Sequence, residues 1–297
     1  MDYIGRFAPS PTGPLHFGSL VAAVGSFLQA RSQDGLWLVR MEDVDRPREV
    51  PSAADAILRW LEAFGLHWDG KVVYQSRRDE AYSAALRELE RLGIAYGCVC
   101  SRKEVADAIT AIGGTPGVYP GNCRTATPVG RQARTVRVNV AGQQITFEDQ
   151  VQGTLAQELE CDVGDFVIRR ADGLFAYQLA VVVDDAEQGI TEVVRGSDLI
   201  DSTPRQIYLQ RLLGVPTPSY LHLPVVVDAS GQKLSKQTHA PPIDPLTPLA
   251  ALVRALALLG QHPPTELLRV NLDEFWRWAI EHWEATHIPA VKKLTCP

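Results

Sequence analysis

No run of apolar residues in this chain approaches the ~20 needed to cross a bilayer, which argues against a membrane-spanning role. The opening Met1-Asp2-Tyr3-Ile4-Gly5-Arg6 also lacks the basic-then-apolar layout of a secretory signal. The expectation is a cytoplasmic protein with no membrane partner. Internal repeats and low-complexity tracts are missing, and no stretch has the composition of a disordered segment. A disulfide framework is disfavoured as well. The five cysteines are odd in number, with Cys98, Cys100 and Cys123 close together and Cys161 and Cys296 apart. In a cytosolic chain that pattern favours a metal site or free thiols. Nor is the chain basic: a formal net charge of -6 speaks against indiscriminate binding to nucleic acid. It leaves room for RNA held by a local basic face.

What is present is enough for a core and for two domains: 297 residues, 45% of them hydrophobic. Arg6-Phe7-Ala8-Pro9-Ser10-Pro11-Thr12-Gly13-Pro14-Leu15-His16-Phe17-Gly18-Ser19 reads as a strand that stops, a proline-stiffened turn, and the start of a helix. A helix start offers free backbone N–H groups and a positive dipole end, a natural seat for phosphate. Far downstream, Lys233-Leu234-Ser235-Lys236-Gln237 puts two lysines around a hydroxyl residue on a loop. Together they suggest a nucleotide triphosphate held between a helix N-terminus and a cationic loop. Read separately, the first is a helix-capping turn and the second a solvated lysine pair.

The pattern around these segments is that of a parallel α/β sheet. Strands are expected at Ile4 to Ala8 and at Leu36 to Met41. Helices are expected from Gly18 to Arg31, after Pro51-Ser52 with Ile57, Leu58, Leu61 and Phe64 on one face, and from Asp79 to Leu92. Near Tyr96 the alternation breaks, and Val136 to Val140 and Ile145 to Glu148 read as antiparallel strands. Alternation returns with strands at Ala180 to Val183, Val193-Val194 and Leu223 to Val227. Pro204 suits a first helical position and Gly214 a position just past a helix end. Beyond Lys236 the chain reads as purely helical. The resulting division is 1–77 with 176–237 as one discontinuous domain, 78–175 inserted into it, and 238–297 as a helical C-terminal region.

His16-Phe17-Gly18-Ser19 and Lys233 to Gln237 resemble the two signature motifs of class I aminoacyl-tRNA synthetases. Arg6 to Gly13 is similar to the glutamyl/glutaminyl branch in particular. So are Arg40-Met41-Glu42-Asp43-Val44-Asp45, Tyr177-Gln178-Leu179-Ala180 and Val194-Arg195-Gly196-Ser197-Asp198-Leu199. The resemblance covers roughly the first 240 residues, in the family's motif order. It implies a Rossmann-type sheet interrupted by an inserted α+β domain that carries zinc. Two departures stand out: Ser19 where the family has a second histidine, and Gln237 where it has a serine. With so little chain after Lys236 to form an anticodon-gripping domain, the resemblance narrows to shortened members of the branch. Those place glutamate on the queuosine base in the anticodon of tRNA(Asp).

The resemblance also implies roles. Glutamate carries two carboxylates and one ammonium, so its pocket needs two cations and an anion. Arg6, helped by the Tyr177 hydroxyl, is expected at the side-chain carboxylate, Glu42 with Ser10 at the ammonium, and Arg195 at a carboxylate. The plainer reading of Glu42 is a strand-end carboxylate paired to Arg40 or Arg46. His16, Gly18 and Ser19 would serve the ATP phosphates and ribose. Lys236, with Lys233 as second choice, would sit beside the departing pyrophosphate, with Mg²⁺. Cys98, Cys100 and Cys123 could hold structural Zn²⁺, with Tyr119 as the fourth donor carried over from the family, or remain three reduced thiols. Histidines other than His16 read as surface or satisfied core residues, and Trp276, Trp278 and Trp283 as core. Arg124, Arg131, Arg134 and Arg137 read as facing either RNA phosphate or solvent. The expected partners are glutamate, ATP and tRNA(Asp) carrying queuosine, and the expected state is a monomer. The rival expectations are a synthetase charging the tRNA(Glu) 3′ end, a small-molecule nucleotidylyltransferase, and a non-catalytic tRNA-binding module.

Overall fold

A computed structural model of the chain describes residues 2–125, 130–228, 231–232, 244 and 246–295. The first strand, β1 (Ile4–Phe7), runs through the proline turn into α1 (Phe17–Arg31). Most of α1 is buried, because it lies between the sheet on one side and C-terminal helices on the other. Gly25 makes the close approach possible: a Cβ there would stand 2.5 Å from the Leu223 side chain. After α1 come β2 (Leu36–Met41), α2 (Ala53–Ala63) and β3 (Val73–Tyr74). The strands β1, β2 and β3 are parallel, with Ile4 opposite Leu36 and Arg40 opposite Val73. Of the expected face, Ile57, Leu61 and Phe64 are buried and Leu58 is half-buried, and Trp60 is buried with them.

The middle of the chain begins with α3 (Asp79–Arg91), β4 (Ala95–Cys98) and α4 (Arg102–Ala111). It continues with β5 (Thr135–Val138), β6 (Gln144–Asp149), β7 (Gly153–Glu158), the short α5 (Leu159–Asp162) and β8 (Phe166–Arg169). The strands β4, β5 and β8 form an antiparallel sheet. The antiparallel hairpin of β6 and β7 goes elsewhere and adds to the edge of the next parallel sheet.

The remaining elements are α6 (Tyr177–Glu187), β9 (Glu192–Gly196), α7 (Thr203–Leu213), β10 (Ser219–Leu223), β11 (Val225–Val227), α8 (Pro248–Leu258), α9 (Leu272–Glu281) and β12 (Lys293–Thr295). Three expectations change here. Ala180 to Val183 belongs to the helix α6, not to a strand. A short buried apolar run carries no period that separates the two, and its valines favoured the strand. Leu223 to Val227 is two strands, since Pro224 removes a ladder donor and ends β10 before β11 begins. The C-terminal region is not purely helical: β12 pairs in parallel with β11, Leu294 opposite Val226. The expectations for α7 hold, with Pro204 in its first turn and Gly214 at its end in the left-handed conformation (φ 65°).

The parallel strands β9 and β10 share a sheet with the β6–β7 hairpin, and its β9 edge lies alongside β1. The Thr191 amide donates to the Ile4 carbonyl at 2.9 Å, placing β9 beside β1. Since β1 therefore has β2 on one side and β9 on the other, the chain crosses over between them. At such a switch point the strand ends open a crevice suited to a ligand. Against the other face of α1 pack α8 and α9, where the Trp276 indole donates to the Phe64 carbonyl (2.9 Å) and the Trp283 indole to Gln29 Oε1 (2.8 Å).

One glycine ties this fold to the cysteine segment. Gly164 has φ 69°, and a Cβ there would lie 2.4 Å from the backbone nitrogen of Tyr119. Because backbone cannot swing aside, Gly164→Ala is expected to cost about 2 kcal/mol or more and lower the melting temperature by several degrees. Thermal unfolding followed by circular dichroism checks this, with Gly142→Ala, whose Cβ meets nothing, as the comparison for φ strain alone.

Candidate active site and thiol cluster

At the C-terminal ends of β1 and β9 lies a cleft of about 600 Å³. Its phosphate end is made by the start of α1. His16 is the N-cap, and its ring Nδ1 accepts from the Ser19 amide at 3.3 Å. The Ser19 hydroxyl stands 3.3 Å from His16 Nε2. Ser19 therefore contacts the histidine and faces the cleft together with Gly18. The Pro9 carbonyl accepts from the Glu42 amide (3.0 Å), which ties the proline turn to the end of β2.

The opposite end is charged. Arg6 on β1 is buried and donates through Nε to Asp185 Oδ1 at 3.1 Å, while its Nη1 reaches the Val194 carbonyl at 3.4 Å. Arg40 on β2 is fully buried, with Nη2 at 2.8 Å from Asp185 Oδ1 and Nη1 donating to Gln188 at 2.6 Å. Burial alone would push the Asp185 carboxyl up, but Arg6 and Arg40 more than offset it and hold the group below the usual carboxylate range. The adjacent Asp184 accepts from Gln75 (2.7 Å), Arg78 (2.5 Å) and the Tyr82 hydroxyl (2.8 Å).

Glu42 is in a different position. Its carboxylate lies 3.5 Å from Arg40 Nη2, so the plainer pairing with Arg40 exists, yet Oε1 is buried without a hydrogen-bond partner. Burial pushes its pKa up to about 7, against the pull of Arg40 and Arg6. A buried carboxylate lining a cleft with spare acceptor capacity can take a cationic group. Arg195 on β9 donates from Nε to His222 Nε2 (3.1 Å), from Nη2 to Thr203 (2.8 Å), and from Nη1 to the Tyr177 hydroxyl (3.3 Å). The Tyr177 hydroxyl is thus hydrogen-bonded to Arg195.

Arg6, Ser10, His16, Gly18, Ser19, Glu42, Tyr177 and Arg195, all expected from the sequence, border this one cleft. Lys233 and Lys236, with Leu234, Ser235 and Gln237, lie outside the described residues. Sequence reasoning missed Asp185 and took His222 only as a surface or satisfied core residue. The doublet Asp184-Asp185 inside the apolar run of α6 was the available signal, since paired acids in a buried segment call for cationic partners.

Away from the cleft, Cys98, Cys100 and Cys123 place their sulfurs within 4.8 Å of one another. The Tyr119 hydroxyl sits among them, 3.4 Å from Cys98 Sγ and 3.6 Å from Cys100 Sγ, and accepts from the Cys123 amide at 3.1 Å. Burial pushes the Cys98 thiol up, but hydrogen bonding with the Tyr119 hydroxyl and the Cys100 backbone, together with the Arg137 guanidinium, outweighs it and brings the group down to about 7. Three sulfurs and one oxygen converging in this way suit a tetrahedral cation. Among the described residues no other group of histidine, cysteine and carboxylate ligands does so. Cys161 is exposed and unpaired with another cysteine; Cys296 lies outside the described residues.

Arg124 pairs with Asp165 (2.6 Å) and Glu160 (2.9 Å), Arg131 with Glu104 (2.8 Å), and Arg137 lies over the Tyr119 ring at 3.9 Å. These three are engaged within the protein; Arg134 is exposed. Trp276 and Trp283 are core residues, and Trp278 stacks on His282 (4.5 Å between rings).

A helix N-terminus facing arginines and a carboxylate across the switch point of a parallel sheet is the layout of an enzyme that joins a nucleotide to an amino acid. Residues 4–266 match the family described as tRNA synthetases class I (E and Q), catalytic domain, and the chain belongs to that family. It is 60% identical over 296 residues to the glutamyl-Q tRNA(Asp) synthetase of Dechloromonas aromatica, covering 99% of this chain and 98% of that protein. It is 55% identical over 295 residues to the protein of the same name from Aromatoleum aromaticum, covering 99% and 93%. Among solved structures, a glutamate tRNA ligase from Elizabethkingia meningosepticum in complex with its amino acid superposes with a TM-score of 0.82. It is 23% identical, with 100% of this chain and 67% of that chain covered, and it shows the same fold.

The raised pKa of Glu42 has a consequence for stability. A carboxyl whose folded-state pKa (about 7) exceeds its unfolded value (4.5) stabilises the fold below the lower figure, and that stability is lost as pH rises to the higher. The loss is on the order of 3 kcal/mol, since each tenfold change in proton affinity corresponds to about 1.4 kcal/mol. Glu42→Gln in the ligand-free protein is therefore expected to melt several degrees higher than wild type above pH 7, with the gain fading below about pH 5. Melting curves across that range check it.

Proposed function

We propose that this chain activates glutamate with ATP and transfers it to the queuosine base at the wobble position of tRNA(Asp). The observation that carries the reading is the match to glutamyl-Q tRNA(Asp) synthetases along nearly the whole of both chains. The cleft supports it with the charges that glutamate requires: Arg6 and Arg195 for carboxylates, Glu42 with Ser10 for the ammonium, and Tyr177 beside Arg195.

In the first step an oxygen of the glutamate α-carboxylate attacks the α-phosphorus of ATP. The bond from the α-phosphorus to the oxygen bridging it to the β-phosphate breaks and pyrophosphate leaves; Mg²⁺ carried in with ATP would share its charge. His16 and the open amides of α1 stabilise the charge that develops on the phosphate, with Gly18 and Ser19 beside them. Lys236, with Lys233, serves the leaving pyrophosphate. In the second step a hydroxyl of the queuosine cyclopentenediol attacks the acyl carbon, the bond from that carbon to the phosphate oxygen breaks, AMP leaves, the hydroxyl proton passes to the departing phosphate or solvent, and an ester forms. A modified base in an anticodon loop can be splayed out to reach such a pocket.

The same reading assigns 1–77 and 176–237 to a Rossmann-type catalytic domain, 78–175 to an inserted domain, and 238–297 to a C-terminal region. Cys98, Cys100, Tyr119 and Cys123 would hold Zn²⁺ in the insertion. The metal would neutralise adjacent thiolates and fasten the end of β4 to the loop that carries Tyr119, with no part in the chemistry. The protein is taken to act as a cytoplasmic monomer.

Two measurements test this. Glutamate-dependent ATP–pyrophosphate exchange is expected without tRNA, followed by labelling of tRNA(Asp) that contains queuosine. Labelling of tRNA(Glu) at its 3′ end, or exchange that ignores glutamate, would overturn the assignment, and no exchange would leave a tRNA-binding module. Separately, the purified protein is expected to carry about one zinc per chain by elemental analysis, and Cys123→Ser to lose most of it.

A further inference from the structure

The two cleft arginines are held in electrically different ways. Arg6 is tied directly to a carboxylate, Asp185, which also takes Arg40. Among the described residues no carboxylate is ion-paired with Arg195; the Glu42 carboxylate feels its charge only across the cleft. Its Nε–H points at His222 Nε2, its Nη2 at the Thr203 hydroxyl and the Leu199 carbonyl, and its Nη1 edge at Tyr177 and the cleft.

Behind His222 stands Asp149, the last residue of β6, and both side chains are fully buried. Asp149 Oδ2 lies 2.6 Å from His222 Nδ1. Its Oδ1 accepts from the amides of Val151 (3.1 Å) and Gln152 (2.8 Å), and both oxygens face the His222 amide at 3.2 and 3.1 Å. A carboxylate surrounded by donors stays ionised and accepts only, so the proton between the pair sits on Nδ1. Nε2 then carries a lone pair, which is what the Arg195 Nε–H requires. Burial and the neighbouring guanidinium favour the neutral imidazole over the cation, outweighing Asp149. The ring is fixed further by the Tyr220 ring, nearly parallel at 8° with centroids 6.0 Å apart.

We propose that His222, oriented by Asp149, is a positioning residue for substrate: it aims Arg195 at a carboxylate of glutamate without cancelling its charge. A carboxylate at the place of the imidazole would orient the guanidinium equally well but compete with the substrate for it. A neutral ring supplies the acceptor and keeps the anion one ring further back. Asp149 comes from the β6–β7 hairpin, so the middle segment of the chain contributes to the glutamate pocket from behind. This inference rests on glutamate being the substrate of the cleft.

Exchange kinetics separate the two ideas. In His222→Leu the KM for glutamate is expected to rise about 10- to 100-fold, with kcat changed by no more than a few-fold and the KM for ATP unchanged. His222→Gln, whose amide oxygen can accept from Arg195, is expected to recover most of the loss. An unchanged glutamate KM in a folded His222→Leu protein would overturn the proposal, as would a parallel decline in every constant. Should that variant not fold, Asp149→Asn and His222→Gln carry the same comparison. A wild-type protein without glutamate-dependent exchange would defeat the functional reading instead. In that event ¹⁵N NMR of the wild-type imidazole still decides the relay: protonated Nδ1 with bare Nε2 supports it, and the reverse tautomer ends it.

Discussion

Asp185 is the group on which the site depends. It sits on α6, yet its carboxylate holds arginines from β1 and β2, so one buried anion spans three elements of the parallel sheet and its covering helix. Burying three charges costs far more than exposed pairing gains, and one removed partner would leave an unpaired ion in the core. The arrangement persists because each charge is bracketed: Arg40 also reaches Gln188, and neighbouring Asp184 is filled by Gln75, Arg78 and Tyr82. Such a network contributes little to stability and much to geometry. It sets where Arg6 can be and leaves Glu42 as the acid at its edge with unused acceptor capacity.

That leftover capacity links stability to function. A carboxylate satisfied by Arg40 alone would have no use for a ligand's ammonium, and one held by several donors would not be pushed up to about 7. Glu42 is destabilising at neutral pH in the empty protein for the same reason that it can bind a cation. The cleft thus holds one arginine compensated by Asp185, one arginine aimed by a neutral imidazole, and one carboxylate short of partners. An α-amino acid with two carboxylates answers all three.

Much of this was legible in the residues because the signals were local. The turn from Arg6 to His16 and the helix after it are dictated by prolines, a strand end and a capping residue within one short segment. Eight site residues from separate motifs border one cleft. Where the sequence misled, a local rule met a tertiary demand. Ala180 to Val183 carries β-branched residues at strand length, but the helix α6 is selected by packing on all sides and by the need to turn Asp184 and Asp185 toward arginines. The helix α4 was not among the expected elements although Ser101 and Glu104 form a capping box, because it buries only Ile109 and so carries no apolar stripe. His222 could not be found at all from spacing, since its partners Asp149 and Arg195 are joined only by the pairing of β6 and β9 with β10.

Asp149 also bears on how residues 78–175, proposed above as an insertion, relate to the parallel strands around them. Were residues 78–175 merely appended, the cleft would be complete without them. Instead Asp149 ends β6 where that strand meets β10, with Tyr220 opposite Asp149, and the carboxylate caps the turn into β7 through the amides of Val151 and Gln152. Oδ1 holds the turn, Oδ2 holds the His222 ring, and both face the His222 amide. Hairpin geometry and guanidinium orientation therefore share one carboxylate, and any shift of the hairpin edge moves the acceptor behind Arg195.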